Sequence, residues 1–428
     1  MVKVVVVGGG WAGSGASLAA KKAGADEVTL LERTDMLLGT GLVGGIMRNN
    51  GRLTATEEMM AMGGGELFED TDNNARHKNI EFPGHKHATL YDIALIEPAV
   101  KKRLENAGIN VKTLSRVKGL ETDGSRITSV TTDNGETYEA DVFVETTGTA
   151  GPQGNCSKYG NGCAMCVYRC PSFGPRISLA AKAGADEFMG RKGDGSIGAM
   201  SGSCKLHKDS LSEEIVQQLD KTGVVLVAIP EHLRKGEKAL ETKACQQYAL
   251  KEFNDNIILL DTGHAKLMSP FYPLDTLRQI PGFENARFED PYAGGMGNSM
   301  RYLAVSYRDN SLKVEGLENL FCGGEKAGLL VGHTEAICTG TLAGHNAVRY
   351  AYKKDLLTIP DSLAVGDAIN YVGKQMRTKE GITKKYTFSG SVYFNRMKEN
   401  KLYTEDINEI KQRAEQAGLT NVFNQAVK

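Results

Sequence analysis

The first 32 residues constrain this chain more than any other stretch. Residues 3–7, Lys-Val-Val-Val-Val, form an unbroken β-branched run, the pattern of a strand buried on both faces. Gly8, Gly10 and Gly13 follow at once as G-x-G-x-x-G, and an alanine-rich segment over 14–23 reads as a helix ending near Gly24. Residues 27–32, Glu-Val-Thr-Leu-Leu-Glu, read as a second strand, so the β-α-β unit closes within about 30 residues. In such a unit the first glycine permits a tight turn and the second lets backbone approach a pyrophosphate. The third allows close helix–strand packing, and the helix N-terminus faces the phosphate charge. Glu32 ends the second strand, where a carboxylate accepts hydrogen bonds from a ribose hydroxyl. A glycine-rich turn alone says little. Strand, motif, helix, strand and acid in register specify a dinucleotide site, which takes in Gly8, Gly10, Trp11, Ala12, Gly13, Glu32 and Arg33.

Length and composition set the frame around that unit. With 428 residues, the chain suits two or three domains, or one large α/β unit with an insertion. Its 51 Lys and Arg balance 52 Asp and Glu, for a formal net charge of −1, which excludes a globally basic nucleic-acid binder. Glycine is abundant at 50 residues, but it is aperiodic and proline is scarce, so collagen-like and low-complexity readings fail. Tight turns and backbone–ligand contacts remain as its use. No apolar run reaches the roughly 18 residues of a membrane-spanning helix, and the N-terminal valines are too few for a signal peptide. The chain reads as cytoplasmic, where eight cysteines argue against a disulfide framework.

Along the chain, residues 34–87 are glycine-rich and polar with few clear periods, and 90–107 read as a helix. Alternating segments at 109–121, 126–132 and 137–145, broken by Asp-Gly and Asn-Gly, predict a β-meander that runs into Thr147-Gly148. Residues 151–220 look irregular. A strand is expected at 223–229, a charged helix at 231–253, and strands at 257–261 and 302–307. A short strand at 319–322 leads through Gly323-Gly324-Glu325 to a small-residue helix over 334–352, and the tail after 360 reads as helical, notably at 404–417.

The meander with Val117 and Thr147-Gly148, and the later strand followed by Gly324-Glu325 and a helix, favour FAD over NAD. This arrangement resembles the two-part FAD-binding domain of glutathione-reductase-like flavoproteins. The resemblance implies a role for Glu325 near the ribityl and pyrophosphate, and a helix N-terminus at the pyrimidine edge of the isoalloxazine. The segment 317–350, with Leu-Phe-Cys-Gly-Gly-Glu-Lys-Ala-Gly and Gly-Thr-Leu-Ala-Gly-His-Asn-Ala, resembles the C-terminal FAD segment of the GidA/TrmFO family. Thr146-Thr147-Gly148-Thr149 is similar to that family's second FAD motif, and Cys170-Pro171-Ser172 is similar to a Cys-Pro-Ser found in GidA. Membership would imply FAD- and folate-dependent modification of tRNA uridine, with a cysteine such as Cys170 as nucleophile.

Cys156, Cys163, Cys166 and Cys170 follow C-x6-C-x2-C-x3-C with Pro171 next, and the closing portion matches a bacterial ferredoxin run. Four thiolates are the number that a [4Fe–4S] cluster needs, with Cys204 as a more distant substitute for one of them. Zinc is a rival for the C-x2-C pair, as are a redox disulfide between Cys163 and Cys166 and a purely structural role. A cluster would suit a flavin, because flavin takes two electrons and a cluster passes them singly.

Arg48 and Asn49, in a polar loop after Gly44-Gly45, are candidates for contact with the isoalloxazine, a solvated turn being the alternative. His333 precedes the last FAD helix and is a candidate acid/base, a capping or packed histidine being the alternative. The expected molecule is α/β, with a Rossmann-like, glutathione-reductase-type FAD-binding domain from 1–150 and 316–360. A substrate and cluster domain is inserted at 151–315, and a helical region closes the chain at 361–428. The expected function is FAD-dependent oxidoreduction coupled to a [4Fe–4S] cluster. Its expected partners are a small-molecule substrate and an electron donor or acceptor, either NAD(P)H or a redox protein, with no membrane and with self-association into a homo-oligomer. The alternatives are the GidA/TrmFO-type RNA uridine modification, which alone brings in nucleic acid, and a non-catalytic flavoprotein subunit.

Overall fold

The valine run becomes the middle strand of a five-stranded parallel sheet in the computed structural model. The structure describes every residue except 149–175, 198, 202–203, 237–247, 269–271, 290–298 and 302. Val142–Glu145 and then Leu320–Cys322 lie on one side of Lys3–Val7, and Glu27–Leu31 and then Asn110–Lys112 on the other. Val5 stands opposite both Phe143 and Thr29, and Val144 opposite Phe321. All four valines of the central strand are buried, as a parallel sheet covered on both faces requires.

Trp11–Lys22 and His333–Ala351 are both helices with uncapped N-termini, and they pack backbone to backbone. A methyl group on Gly340 would lie 2.1 Å from the Ala12 carbonyl oxygen, and one on Gly344 would lie 2.0 Å from that of Ala16. The small residues that made 334–352 look unusual in sequence therefore serve a close crossing. The crossing brings the N-terminal ends of two helices far apart in sequence to one cleft.

A second core, containing Leu206, Leu219, Leu259 and Phe283, lies under an antiparallel sheet. In that sheet the order is Cys204–Leu206, Ala265–Leu267, Asn256–Asp261 and Val224–Ala228. A third cluster joins Ile46, Phe82 and Leu90 to Phe253, Ile258 and Leu260, so the hairpin before residue 91 packs on the inserted sheet. The tail helices Ala364–Gln375, Ser391–Glu399 and Ile407–Gln416 contribute Ala368, Met397 and Ala414 to the core that holds Val5 and Phe143. The Val427 amide donates to the Ala23 carbonyl at 2.8 Å. Among the described residues no helix is long and apolar enough to cross a membrane.

Several expectations change. The meander consists of Val117–Asp123, Arg126–Thr132 and Thr137–Glu139, while the flanking Asn110–Lys112 and Val142–Glu145 belong to the parallel sheet. The helix expected over 90–107 starts only at Ile96, because His85–Tyr91 is a strand paired with Ala75–Phe82. Residues 34–87, featureless in sequence, contain the helices Gly51–Ala61 and Glu66–Asn73. Part of the stretch taken as irregular forms the helix Glu213–Thr222. The charged helix expected at 231–253 is a 3-10 turn, Glu231–Leu233, then Gly236 at φ 77°, and later the short helix Lys251–Asp255. A left-handed glycine ends a helical run, and residues 237–247 lie outside the described ones.

Candidate functional site

At the carboxyl ends of the parallel strands lies an open cleft whose walls include Val7, Leu31, Glu32 and Thr146. The glycine loop forms its floor. Gly8 adopts φ 107°, and a methyl group there would lie 2.5 Å from the Thr146 carbonyl oxygen. The Thr146 hydroxyl lies 2.9 Å from the Val7 carbonyl and 2.7 Å from that of Gly8, so the loop is sewn to the neighbouring strand end. No side chain caps the helix that begins at Trp11, and its first turn carries no acid. Its leading amides therefore remain available to an anion.

Glu32 stands beside this loop. One carboxylate oxygen accepts from the Gly9 amide at 2.7 Å, and the other from the amide and hydroxyl of Thr34 at 2.9 and 3.0 Å. These bonds fix the carboxylate at the cleft wall, with lone pairs remaining for a hydroxyl ligand. Gly10, Trp11, Ala12, Arg33, Val117, Thr147, Gly148, Gly324 and Glu325 also line the cleft, as their sequence positions imply. Gly13 does not line it. A methyl group on Gly13 would fall 1.8 Å from the Gly8 carbonyl oxygen, so this residue serves packing.

The second uncapped helix starts at the same cleft, where Gly332, His333 and Ala336 are wall residues. Glu335 lies in its first turn but is turned away into a buried pair. Its carboxylate lies 3.2 Å from Arg52 Nε and accepts from the Thr387 hydroxyl at 2.7 Å and the Phe388 amide at 2.8 Å. Helix-start charge that an acid would otherwise neutralise is thereby left to the cleft.

Below the cleft floor, Glu145 is fully buried and accepts from the Leu179 and Ala180 amides at 2.9 and 3.0 Å and from the Thr147 hydroxyl at 3.1 Å. Lys326 lies 3.4 Å from Glu145 and 3.0 Å from Glu187. Burial works against the Lys326 ammonium, but Glu145 and Glu187 together hold its pKa above the ordinary lysine value. This network ties the turn carrying Gly324 and Glu325 to the wall carrying Thr147.

His333 is brought to the cleft, whereas Arg48 and Asn49 are brought elsewhere. Arg48, at φ 62°, is paired with Glu57 and Asp72, and these carboxylates hold its pKa up against desolvation. Asn49 bonds His85 Nδ1 at 2.9 Å and accepts from Arg52 at 3.1 Å. Neither residue lines the cleft, because both are consumed in anchoring the loop. Cys156, Cys163, Cys166 and Cys170 lie outside the described residues. Among the described residues no group of three or more His, Cys, Asp or Glu could hold a metal ion.

Sequence reasoning missed Tyr91, Arg176, Lys266 and the Glu145–Lys326 pair. Tyr91 approaches His333 across 242 positions, and Lys266 donates to the Val43 carbonyl from the inserted sheet. Nothing local to either residue signals these contacts.

Known proteins resemble this chain in sequence and in fold. A family model described as glucose inhibited division protein A matches residues 3–224 and 212–355. The methylenetetrahydrofolate–tRNA-(uracil-5-)-methyltransferase TrmFO of Thermosipho melanesiensis is 31% identical over 103 residues, 24% of this chain and 23% of that protein. That of Lactobacillus acidophilus is 33% identical over 93 residues, 22% of this chain and 20% of that protein. The chain thus spans about a quarter or less of the length of these curated relatives. Aquifex aeolicus GidA superposes with a TM-score of 0.67 at 17% identity in one crystal form, covering 98% of this chain and 72% of that one. In a second crystal form the TM-score is 0.64 at 16% identity, covering 97% and 78%. At such identities the likeness is one of fold: mixed α/β with a parallel sheet.

Proposed function

This chain belongs to the glucose inhibited division protein A family, and on that premise we propose that it is an FAD-dependent enzyme that modifies a uridine base in RNA. The observation that carries the flavin is the pairing of two uncapped helix N-termini at one cleft, with Glu32 fixed on its wall. Support for the substrate comes from the curated relatives, whose names state a transfer from methylenetetrahydrofolate to uracil C5 in tRNA.

The residues present fit FAD. The amides from Gly10 to Ala12 suit its pyrophosphate, Glu32 an adenosine ribose hydroxyl, and Glu325 the ribityl side. Bound FAD would supply reversible two-electron chemistry. The helix start at Gly332–His333 favours negative charge at its end of the cleft, and His333 holds or gives a proton there. Under the family resemblance, a cysteine such as Cys170 supplies the nucleophile.

The cysteine spacing favours a second reading, in which Cys156, Cys163, Cys166 and Cys170 hold a [4Fe–4S] cluster and the flavin exchanges electrons with a redox partner. One experiment separates the two. Protein purified without oxygen is assayed for flavin, iron and sulfide, then incubated with methylenetetrahydrofolate, a reductant and unmodified tRNA. Mass spectrometry of the nucleosides follows. Flavin with a methylated uridine product supports the first reading. About four irons per chain without any uridine product overturns it in favour of the second. Absence of flavin overturns both.

A further inference from the structure

Tyr91 is fully buried at the end of the strand His85–Tyr91 and touches the cleft only through its neighbours. Its backbone amide donates to the Gly45 carbonyl at 3.0 Å, and its hydroxyl donates to the Gly41 carbonyl at 2.6 Å. One residue, through its backbone amide and its hydroxyl, thus spans the strip from Gly41 to Gly45. The Lys266 ammonium donates to Val43 on the same strip. His333 lies across it: a methyl group on Gly44 would come within 1.6 Å of His333 Cε1. The ring therefore rests where only a glycine leaves room. Trp11 closes the arrangement, its ring edge-on to Tyr91 at 5.9 Å and 6.3 Å from the imidazole.

The Tyr91 hydroxyl also lies 3.2 Å from His333 Nδ1. A phenol has one proton, and Gly41 at 2.6 Å is the shorter of its two acceptor contacts. Burial pushes the phenol pKa well above its ordinary value, so the hydroxyl keeps that proton. With the proton directed at Gly41, the oxygen presents a lone pair to Nδ1, and this contact is a hydrogen bond only when Nδ1 carries the hydrogen.

We infer that Tyr91 is a positioning residue for His333, holding the neutral imidazole in the tautomer protonated on Nδ1 so that Nε2 is its basic nitrogen. The catalytic consequence rests on the flavin reading above: a proton taken up in the cleft enters at Nε2, and the same atom returns it. The tautomer itself does not depend on that reading.

Nitrogen-15 NMR of the full chain labelled at histidine tests the inference without any assay of turnover. H333N assigns the His333 signals by their loss. In the wild-type protein above neutral pH, Nδ1 is expected at a protonated, pyrrole-type shift and Nε2 at a pyridine-type shift. In Y91F the two shifts are expected to converge or exchange places, as the ring loses its fixed acceptor. A wild-type His333 protonated on Nε2 would overturn the inference, as would a Y91F spectrum with the His333 shifts unchanged. If Y91F does not fold, the wild-type spectrum decides alone. Failure of the flavin reading would show separately, as the absence of FAD from a protein that retains the Nδ1 tautomer.

Discussion

Gly340 lies against Ala12 so closely that its Cα hydrogen occupies the only space before the Ala12 carbonyl oxygen. Replacing it with alanine sets a methyl group 2.1 Å from that oxygen, and neither backbone can yield without parting the two helices. G340A is expected to cost about 2 kcal/mol or more of stability, in line with overpacking of a close contact. It is also expected to weaken flavin retention at least tenfold, because the two helix starts move apart. Denaturant midpoints and flavin content per chain after gel filtration would check both effects. Full flavin retention with native stability would remove the crossing as the device that builds the site.

Glu58 makes an opposite kind of contact, reaching out of Gly51–Ala61 to the start of the tail helix. Its carboxyl accepts from the amides of Ala364 at 2.7 Å and Val365 at 2.9 Å. Burial pushes its pKa up from 4.5 to about 7, against those two amides. The folded chain therefore binds this proton more tightly than the unfolded chain. The resulting stability is complete below about pH 4.5 and is lost as the pH rises to about 7, amounting to about 3 kcal/mol. E58Q should remove the Glu58 term alone, so its urea midpoint should rise relative to that of the wild type between pH 5 and pH 7.5.

His345 works in the other direction. Neither ring nitrogen has a hydrogen-bond partner among the described residues, and the ring stands edge-on to Phe423 at 5.4 Å. Burial first, then the nearby Arg349 and Lys22, lower its pKa from 6.5 to about 4. The unfolded chain takes this proton more readily, so stability is full above about pH 6.5 and falls as the pH drops towards 4. The two slopes oppose each other between about pH 4.5 and 6.5, where the wild-type curve should be nearly flat. H345L should expose the Glu58 slope, with stability falling as the pH rises. E58Q should expose the histidine slope, with stability rising. Parallel curves for all three proteins would contradict both assignments.

Arg52 and Glu335 are buried together, with side-chain exposures of 6% and 0%. Removing the arginine strands a carboxylate in the interior, so R52M should cost about 3–5 kcal/mol. The double variant R52M/E335M should recover part of that loss, because it deletes the stranded charge as well. Chemical denaturation of R52M, E335M and R52M/E335M against the wild type gives the coupling directly. Equal stability of the single and double variants would show that Thr387 and Phe388 suffice for Glu335.

The cofactor unit was legible because its signals are consecutive. Valine run, glycines, alanine-rich helix and Glu32 occupy one short stretch, and the structure folds them as one β-α-β unit. Gly51–Ala61 was illegible for a physical reason. Arg52, Thr54, Thr56, Glu57 and Glu58 are all buried in it, so the helix has no polar outer face to set against an apolar one. The boundaries of the meander failed because Asn110–Lys112 and Val117–Asp123 serve different sheets although only four residues separate them. Tyr91 with His333, Glu58 with Ala364, and Lys326 with Glu145 are partners across long stretches of chain, and no local pattern announces such pairs. Arg48 and Asn49 read as site residues because polar groups in a glycine loop look available, and only the fold reveals the carboxylates and ring that engage them.

The sheet also sets an order of events during synthesis. Its outermost strand on one side, Leu320–Cys322, and the helix that seals Ala12 and Ala16 come from the last third of the chain. A nascent chain that has left the ribosome only to residue 300 has the phosphate-binding loop but not the surface that closes over it. Chaperone dependence during translation should accordingly end not when the β-α-β unit emerges, but when the segment after residue 351 has cleared the exit tunnel.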